Sequence, residues 1–195
     1  IGERTQIGLP GEAAGTLHKA KDLRQRDLAN LGFGQGVSVT DIQMVAAIAA
    51  VVNGGRLMQP YLVQQVLDPG DGSVIREAKP VARRRVCSEE TSAQVCRMMG
   101  KVVEHGTGTR GRIEGVQVGG KTGTAQQWNP VTGSYEDGRK IVSFVLVTPL
   151  DHPRFVILFT AEEPQIGRHG SEVAAPYARE VALAALRQAG LLPEN

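Results

Sequence analysis

Val118-Gly119-Gly120-Lys121-Thr122-Gly123-Thr124-Ala125 gathers a lysine, two threonines and three glycines into eight residues, directly after the alternating Gly115-Val116-Gln117-Val118. Three readings compete for it. Gly115 to Thr122 satisfies Gly-x4-Gly-Lys-[Ser/Thr], the loop whose backbone amides cradle phosphates. That loop needs a buried strand before it and a helix directly after it. Here a helix-like segment ending near His105 precedes, and Gly123 to Pro130 is too short and too broken to continue as a helix. Gly106-Thr107-Gly108-Thr109-Arg110-Gly111 fits the dinucleotide pattern Gly-x-Gly-x-x-Gly, but it follows a helix and opens none, so that match is accidental. The third reading makes Lys121-Thr122-Gly123-Thr124 part of an edge strand facing a cleft, where bare Gly123 lets a ligand approach the backbone. An ammonium with hydroxyls on such an edge is a carboxylate receptor. A glycine-rich turn with solvated polar residues is the bland counterpart, and these residues alone leave both open.

Working outward, 195 residues fit one domain or a large part of a bigger one, and a 41% hydrophobic content is enough for a substantial core. A net charge of +2 from 22 basic and 20 acidic residues, with 4% aromatics, argues against a nucleic-acid surface. Arg83-Arg84-Arg85 reads as a solvated connector. Cys87 and Cys96 have neither metal-ligand company nor the density of a disulfide framework. No metal site is expected, since no His-x3-His or paired-cysteine spacing occurs. Met44 to Val52, the longest apolar run, is far short of the ~20 residues that span a bilayer, and no signal peptide is evident. A start at Ile1 reads as processed or engineered.

Along the chain, Ile1 to Gly15 reads as extended with a turn at Leu9-Pro10-Gly11-Glu12, Lys19 to Asn30 as a short helix or connector, and Leu31 to Val37, with Phe33, as a loop. Thr40 and Gln43 form a capping-box pair, with Val39 and Met44 as a staple, for a helix running to about Val52. Its Met44 to Val52 part is apolar on every face, so the helix is expected to be buried on most sides. Tyr61 to Leu67 and Ser73 to Lys79 flank Pro69-Gly70-Asp71-Gly72 as a hairpin. A helix from Ser88 carries Val95, Met98, Met99, Val102 and Val103 on one face and ends at Gly106. Trp128 to Arg139 reads as a polar loop, Ile141 to Val147 and Arg154 to Ala161 as two interior strands in a hairpin, and Pro176 as the first turn of a last helix ending near Gly190. The class is α+β: helices, an antiparallel sheet whose first strand holds Lys121, and a helix packing back on it.

Several of these stretches together resemble the penicillin-recognising transpeptidase domain of class B penicillin-binding proteins, nearest the division type. They are Lys121-Thr122-Gly123-Thr124-Ala125-Gln126, Gly34-Gln35-Gly36-Val37-Ser38-Val39-Thr40, Leu9-Pro10-Gly11-Glu12-Ala13-Ala14-Gly15, Gly106-Thr107-Gly108, and Gly170-Ser171-Glu172-Val173-Ala174-Ala175-Pro176. The resemblance implies the β-lactamase/transpeptidase-like fold. It implies acyl transfer between peptidoglycan stem peptides ending in D-Ala-D-Ala, without a cofactor, and trapping by β-lactams. Lys121 then helps to bind the terminal carboxylate and tunes a neighbouring serine, the Thr122 and Thr124 hydroxyls hold that carboxylate, and the Thr124 N–H is an oxyanion donor. Division-complex partners, an extracytoplasmic location and an N-terminal membrane anchor upstream of Ile1 follow from the family too.

The family also needs Ser-x-x-Lys and Ser-x-Asn. None of Ser38, Ser73, Ser88, Ser92, Ser134, Ser143 and Ser171 has lysine three residues later or asparagine two later. No Gly-x-Ser-x-Gly elbow joins a serine to His18, His105, His152 or His169. The chain is therefore expected to be the C-terminal portion of such a domain over residues 1–195, with no catalytic nucleophile of its own and no activity alone. A non-catalytic binding module or β-lactam sensor of the same fold, or a serine β-lactamase, is the alternative. The long connection between the buried helix and the Lys121 strand fits a transpeptidase better than a compact β-lactamase.

Overall fold

The computed structural model describes residues 1–32, 34–129, 131–167 and 169–193. Phe33 and Pro130, both placed in loops by the sequence, lie outside the described residues. The chain divides into two compact units, Ile1–Glu89 and Glu90–Asn195.

In the first unit, helix α1 spans Gln25–Gly32 and helix α2 spans Asp41–Val52. The capping box of α2 forms as the sequence requires. Thr40 Oγ1 accepts from the Gln43 N–H at 3.3 Å, and Gln43 Oε1 accepts from the Thr40 N–H at 3.0 Å. Gln43 does more than cap. Its buried amide Nε2 donates to the carbonyls of Glu3 and Ala14, each at 2.7 Å, so one side chain ties the N-terminal segment to the start of α2. Gly15 is bare for the same reason: it sits at φ 67°, and a Cβ there would collide with Ser38 O and lie 2.9 Å from Gln43 Oε1. The extended segment is further pinned by Glu12, whose carboxylate accepts from Thr5 Oγ1 and from the N–H groups of Thr5 and Gln6. Those bonds, the Thr5 hydroxyl first, hold the Glu12 carboxyl below its ordinary range.

A testable consequence follows for Gln43. Replacing it with alanine strips the partners from the Glu3 and Ala14 carbonyls and from the N–H of the N-cap Thr40, and the expected cost is about 2–3 kcal/mol of unfolding free energy. Urea unfolding measures it, with limited proteolysis within residues 1–15 as a local readout. An unchanged midpoint together with unchanged cleavage would contradict the clasp.

Two two-stranded antiparallel ladders complete this unit. Strands β1 (Arg56–Met58) and β4 (Ala82–Arg85) pair with Arg56 opposite Arg85, and β2 (Gln65–Leu67) pairs with β3 (Val74–Glu77) as the expected hairpin. Its turn is held by Asp68 and Asp71, whose carboxylates accept from the N–H groups of Gly70 and Ser73. The arginine run is thus a strand and not a connector, although its side chains are exposed as expected. Arg83 bonds Gln59 Oε1, Thr5 O and Gln6 Oε1, a side-chain use that composition does not show. The burial expected for α2 is corrected as well. Only Gln43, Ala50 and Val52 are buried and most of its other residues are half-buried, because ladders of two short strands are too small to cover a whole helix circumference.

The second unit opens with helix α3 (Glu89–His105), which buries Ser92, Met99, Gly100 and Val103. Met98, read as core, is instead 63% exposed, because it falls just outside the arc that carries Met99 and Val103. Three strands follow: β5 (Gly119–Asn129), β6 (Ser134–Thr148) and β7 (Phe155–Glu162), antiparallel in the order β5-β6-β7. The polar loop expected from Trp128 to Arg139 is mostly strand: Asn129 pairs with Ser134 and Trp128 with Tyr135. Trp and Tyr favour a pleated ladder, and the turn is closed by Asn129, whose Oδ1 accepts from the Val131 N–H while Gly133 adopts φ 64°. Of the two strands read as interior, only β6 is central, with Val142, Phe144, Leu146, Val147 and Thr148 fully buried; β7 is an outer, half-buried strand.

Helix α4 (Gly170–Gln188) covers this sheet with Ala174, Ala175, Ala178, Ala182 and Leu186, none of them exposed. Alanine at three- and four-residue spacing lets the helix axis come close to the strands. The helix begins six residues before Pro176, not at it. Burial of Gly170, Ala174 and Ala175 makes the preceding turn worth forming, and the proline removes only its own bond to the Glu172 carbonyl. Its far end is a Schellman motif, with Leu191 N–H on Leu186 O and Gly190 N–H on Arg187 O, each at 2.9 Å.

Candidate functional site

Among the described residues, β5 is an edge of the three-stranded sheet, so the structure has the edge strand of the third reading and neither of the phosphate- or dinucleotide-loop patterns. Lys121, Thr122, Gly123 and Thr124 pair with Val145, Phe144, Ser143 and Val142 of β6. Alternation sends Lys121 and Gly123 to one face and Thr122 and Thr124 to the other. Lys121 and Thr124 are exposed, and Thr122 and Gly123 are half-buried. The ammonium folds back along the edge, with Nζ donating to the Thr122 carbonyl at 2.7 Å. The four expected residues therefore follow one another on a partly exposed stretch of strand, in extended backbone without a phosphate-binding loop.

The glycines have separate steric reasons. At Gly123 a Cβ would meet Ser143 Oγ, the side chain directly across the ladder, and would force that hydroxyl to another rotamer. Gly120 is bare because Phe144 lies under it: a Cβ would come 2.5 Å from Cζ of that ring. The same ring would meet a Cβ at Gly111 at 2.8 Å and one at Gly108 at 3.2 Å. Two glycines of the Gly-x-Gly-x-x-Gly match, Gly108 and Gly111, thus make room for Phe144, the cross-strand partner of Thr122, while Gly106 packs against the Val102 backbone. Gly170, at the start of α4, would bring a Cβ onto the backbone carbonyls of Ser143 and Gly123. Sheet, helix and loop therefore all converge on the backbone of residues 120–123.

Sequence reasoning did not name Thr107, Ser143 or Gly170 as site residues. Thr107 Oγ1 lies 3.1 Å from Thr122 Oγ1. Its signal was present in Gly106-Thr107-Gly108, but only the fold shows which strand that loop touches. No group of three or more His, Cys, Asp or Glu among the described residues is placed to hold a metal ion.

Residues 1–183 match the family described as penicillin binding protein transpeptidase domain. The chain belongs to that family. Its relatives include class B penicillin-binding proteins, among them a sporulation protein and peptidoglycan D,D-transpeptidases. It is 39% identical over 196 residues to the stage V sporulation protein D of Bacillus subtilis, across 100% of this chain and 30% of that protein. It is 32% identical over 195 residues to the probable peptidoglycan D,D-transpeptidase PenA of Neisseria meningitidis, across 99% of this chain and 31% of that protein. The crystal structure of penicillin binding protein 3 from Mycobacterium tuberculosis complexed with ampicillin matches with a TM-score of 0.88 and 34% identity, across 100% of this chain and 45% of that one. The α+β fold is accordingly that of the penicillin-binding transpeptidase domains. The chain spans about a third of the length of these curated relatives, and none of its helices, among the described residues, is long and apolar enough to cross a membrane.

Proposed function

We propose that this chain is the C-terminal portion of the transpeptidase domain of a peptidoglycan D,D-transpeptidase and forms the Lys-Thr-Gly wall of its cleft. The observation that carries the reading is the edge strand β5, which holds the exposed Lys121 and Thr124 and the half-buried Thr122 in consecutive extended backbone, with the bare Gly123 between the threonines. The names of the relatives and the ampicillin-bound crystal structure support the substrate class.

In this reading a serine outside the chain attacks the carbonyl of a D-Ala-D-Ala stem peptide. The C–N bond to the terminal D-alanine breaks, the leaving amine takes a proton, and an amine of a second stem then attacks the ester and frees the serine. Lys121 and the Thr122 and Thr124 hydroxyls receive the terminal carboxylate, which only accepts hydrogen bonds. The Thr124 N–H supplies one of two oxyanion donors. Work at the outer face of the cell membrane follows from that substrate, with an N-terminal anchor and division partners on the rest of the protein.

The test incubates the complete protein and this 195-residue chain with benzylpenicillin and reads intact mass. An adduct on the complete protein alone is expected. No adduct on either would favour a non-catalytic binding module, and an adduct on the short chain would place the nucleophile among its seven serines.

A further inference from the structure

We infer that Thr107 is a positioning residue of the candidate site, its hydroxyl fixing that of Thr122 for a ligand carboxylate. The inference rests on the carboxylate-receptor reading proposed above.

The two hydroxyl oxygens are 3.1 Å apart although their residues are fifteen positions apart in the chain. The loop that carries Thr107 is built to sit there. The N–H groups of Gly106 and Gly108 both donate to Val102 O, at 3.1 and 2.9 Å, which folds the chain sharply at the end of α3. Gly108 is buried against Phe144 and Val102, and the Gly111 N–H returns to Gly108 O at 2.9 Å. Phe144 is the ladder partner of Thr122, so the ring that needs bare Gly108 and Gly111 also registers the loop to this strand position. Thr107 itself is exposed. Its contact therefore adds little to folding and leaves it accessible from the strand edge.

Hydroxyl arithmetic supplies the role. Thr122 has one proton to donate and two lone pairs. A carboxylate cannot donate, so Thr122 serves it only by giving up that proton, and its lone pair is then free to accept from Thr107 Oγ1. That donation fixes the rotor of Thr122 and strengthens its O–H as a donor. The β-branched Thr107 also restricts its own rotamers.

The test measures benzylpenicillin acylation efficiency in the complete protein for Thr107→Val, Thr107→Ser, Thr122→Val and the Thr107→Val/Thr122→Val pair, with melting curves for each. Thr107→Val is expected to lower efficiency roughly five- to tenfold, mainly through weaker binding, without moving the melting temperature. In the Thr122→Val background the same change should cost less than about twofold, because its target is gone. Thr107→Ser keeps the hydroxyl and should stay within about twofold of the parent. A Thr107→Val cost that persists undiminished in the Thr122→Val background overturns the inference, as does a Thr107→Val variant equal to the parent while Thr122→Val is impaired. So does a Thr107→Ser variant as weak as Thr107→Val. If Thr122→Val itself acylates normally, the carboxylate-receptor reading fails and takes the inference with it, a pattern distinct from the others.

Discussion

Replacing Lys121 with alanine in the complete protein is expected to lower the rate of penicillin acylation by about 10²- to 10³-fold while leaving stability within about 0.5 kcal/mol of the parent. The separation of the two effects follows from the position of the side chain. Lys121 is exposed on an edge strand, and among the described residues its side chain donates to the Thr122 carbonyl next door. The fold loses almost nothing when that bond is exchanged for water. In the proposed role the site loses the positive charge on the strand that also carries the two threonine hydroxyls, and a charge-assisted bond to a carboxylate is among the strongest single contacts a site makes. Arginine restores the charge but carries it as a larger planar fork, so Lys121→Arg is expected to recover only part of the rate. Stopped-flow acylation with a fluorescent penicillin, beside thermal melting, measures both quantities. A Lys121→Ala variant with parental acylation kinetics would remove the residue from the proposed role.

The sequence carried the strand that holds Lys121 to Thr124 better than it carried the surroundings of that strand. Lys121 to Thr124 could be placed on a strand because the phosphate-loop and dinucleotide patterns each demand a helix that Gly123 to Asn129 and Gly106 to Gly111 do not provide. The capping box at Thr40 and Gln43 was legible for a similar reason: both partners lie three residues apart and the geometry is local. What failed were inferences that needed a distant partner. Trp128 to Arg139 looks like a loop until each half is set against the other across Asn129–Ser134. Arg83-Arg84-Arg85 looks like a solvated run until β1 is seen to pair with it. Pro176 looks like a helix start because its local preference is strong, yet the burial of Ala174 and Ala175 against the sheet extends α4 past it. The glycines divide the same way. Gly133 and Gly190 are readable as turn and cap, whereas Gly108, Gly111 and Gly120 owe their identity to the ring of Phe144.

Gly170 is the position where this kind of hidden constraint has the largest structural consequence. A Cβ there would run into Ser143 O, and it would lie 2.9 Å from Gly123 O and 3.2 Å from Ser143 C. All three are backbone atoms, so no rotamer change removes the clash. The next turns of α4 cannot tilt to relieve it, since Ala174, Ala175 and Ala178 are already in full contact with the sheet. Gly170→Ala is therefore expected to destabilise the protein by about 3 kcal/mol, the upper end for overpacking, even though alanine is otherwise the better helix former. Val181→Ala, on the exposed side of the same helix, should change stability by less than about 0.5 kcal/mol. The strain also has a direction. Two of the clashing atoms belong to Ser143 of β6 and one to Gly123 of β5, so the methyl presses first on β6 at the ladder partner of Gly123 and then on β5 itself, at the centre of Lys121–Thr124. In the complete protein, Gly170→Ala should lower acylation at temperatures where the variant is still fully folded. Urea unfolding gives the first quantity and acylation kinetics well below the melting point give the second. A parental unfolding midpoint would mean that α4 does not sit on the strand backbone as closely as its glycine indicates.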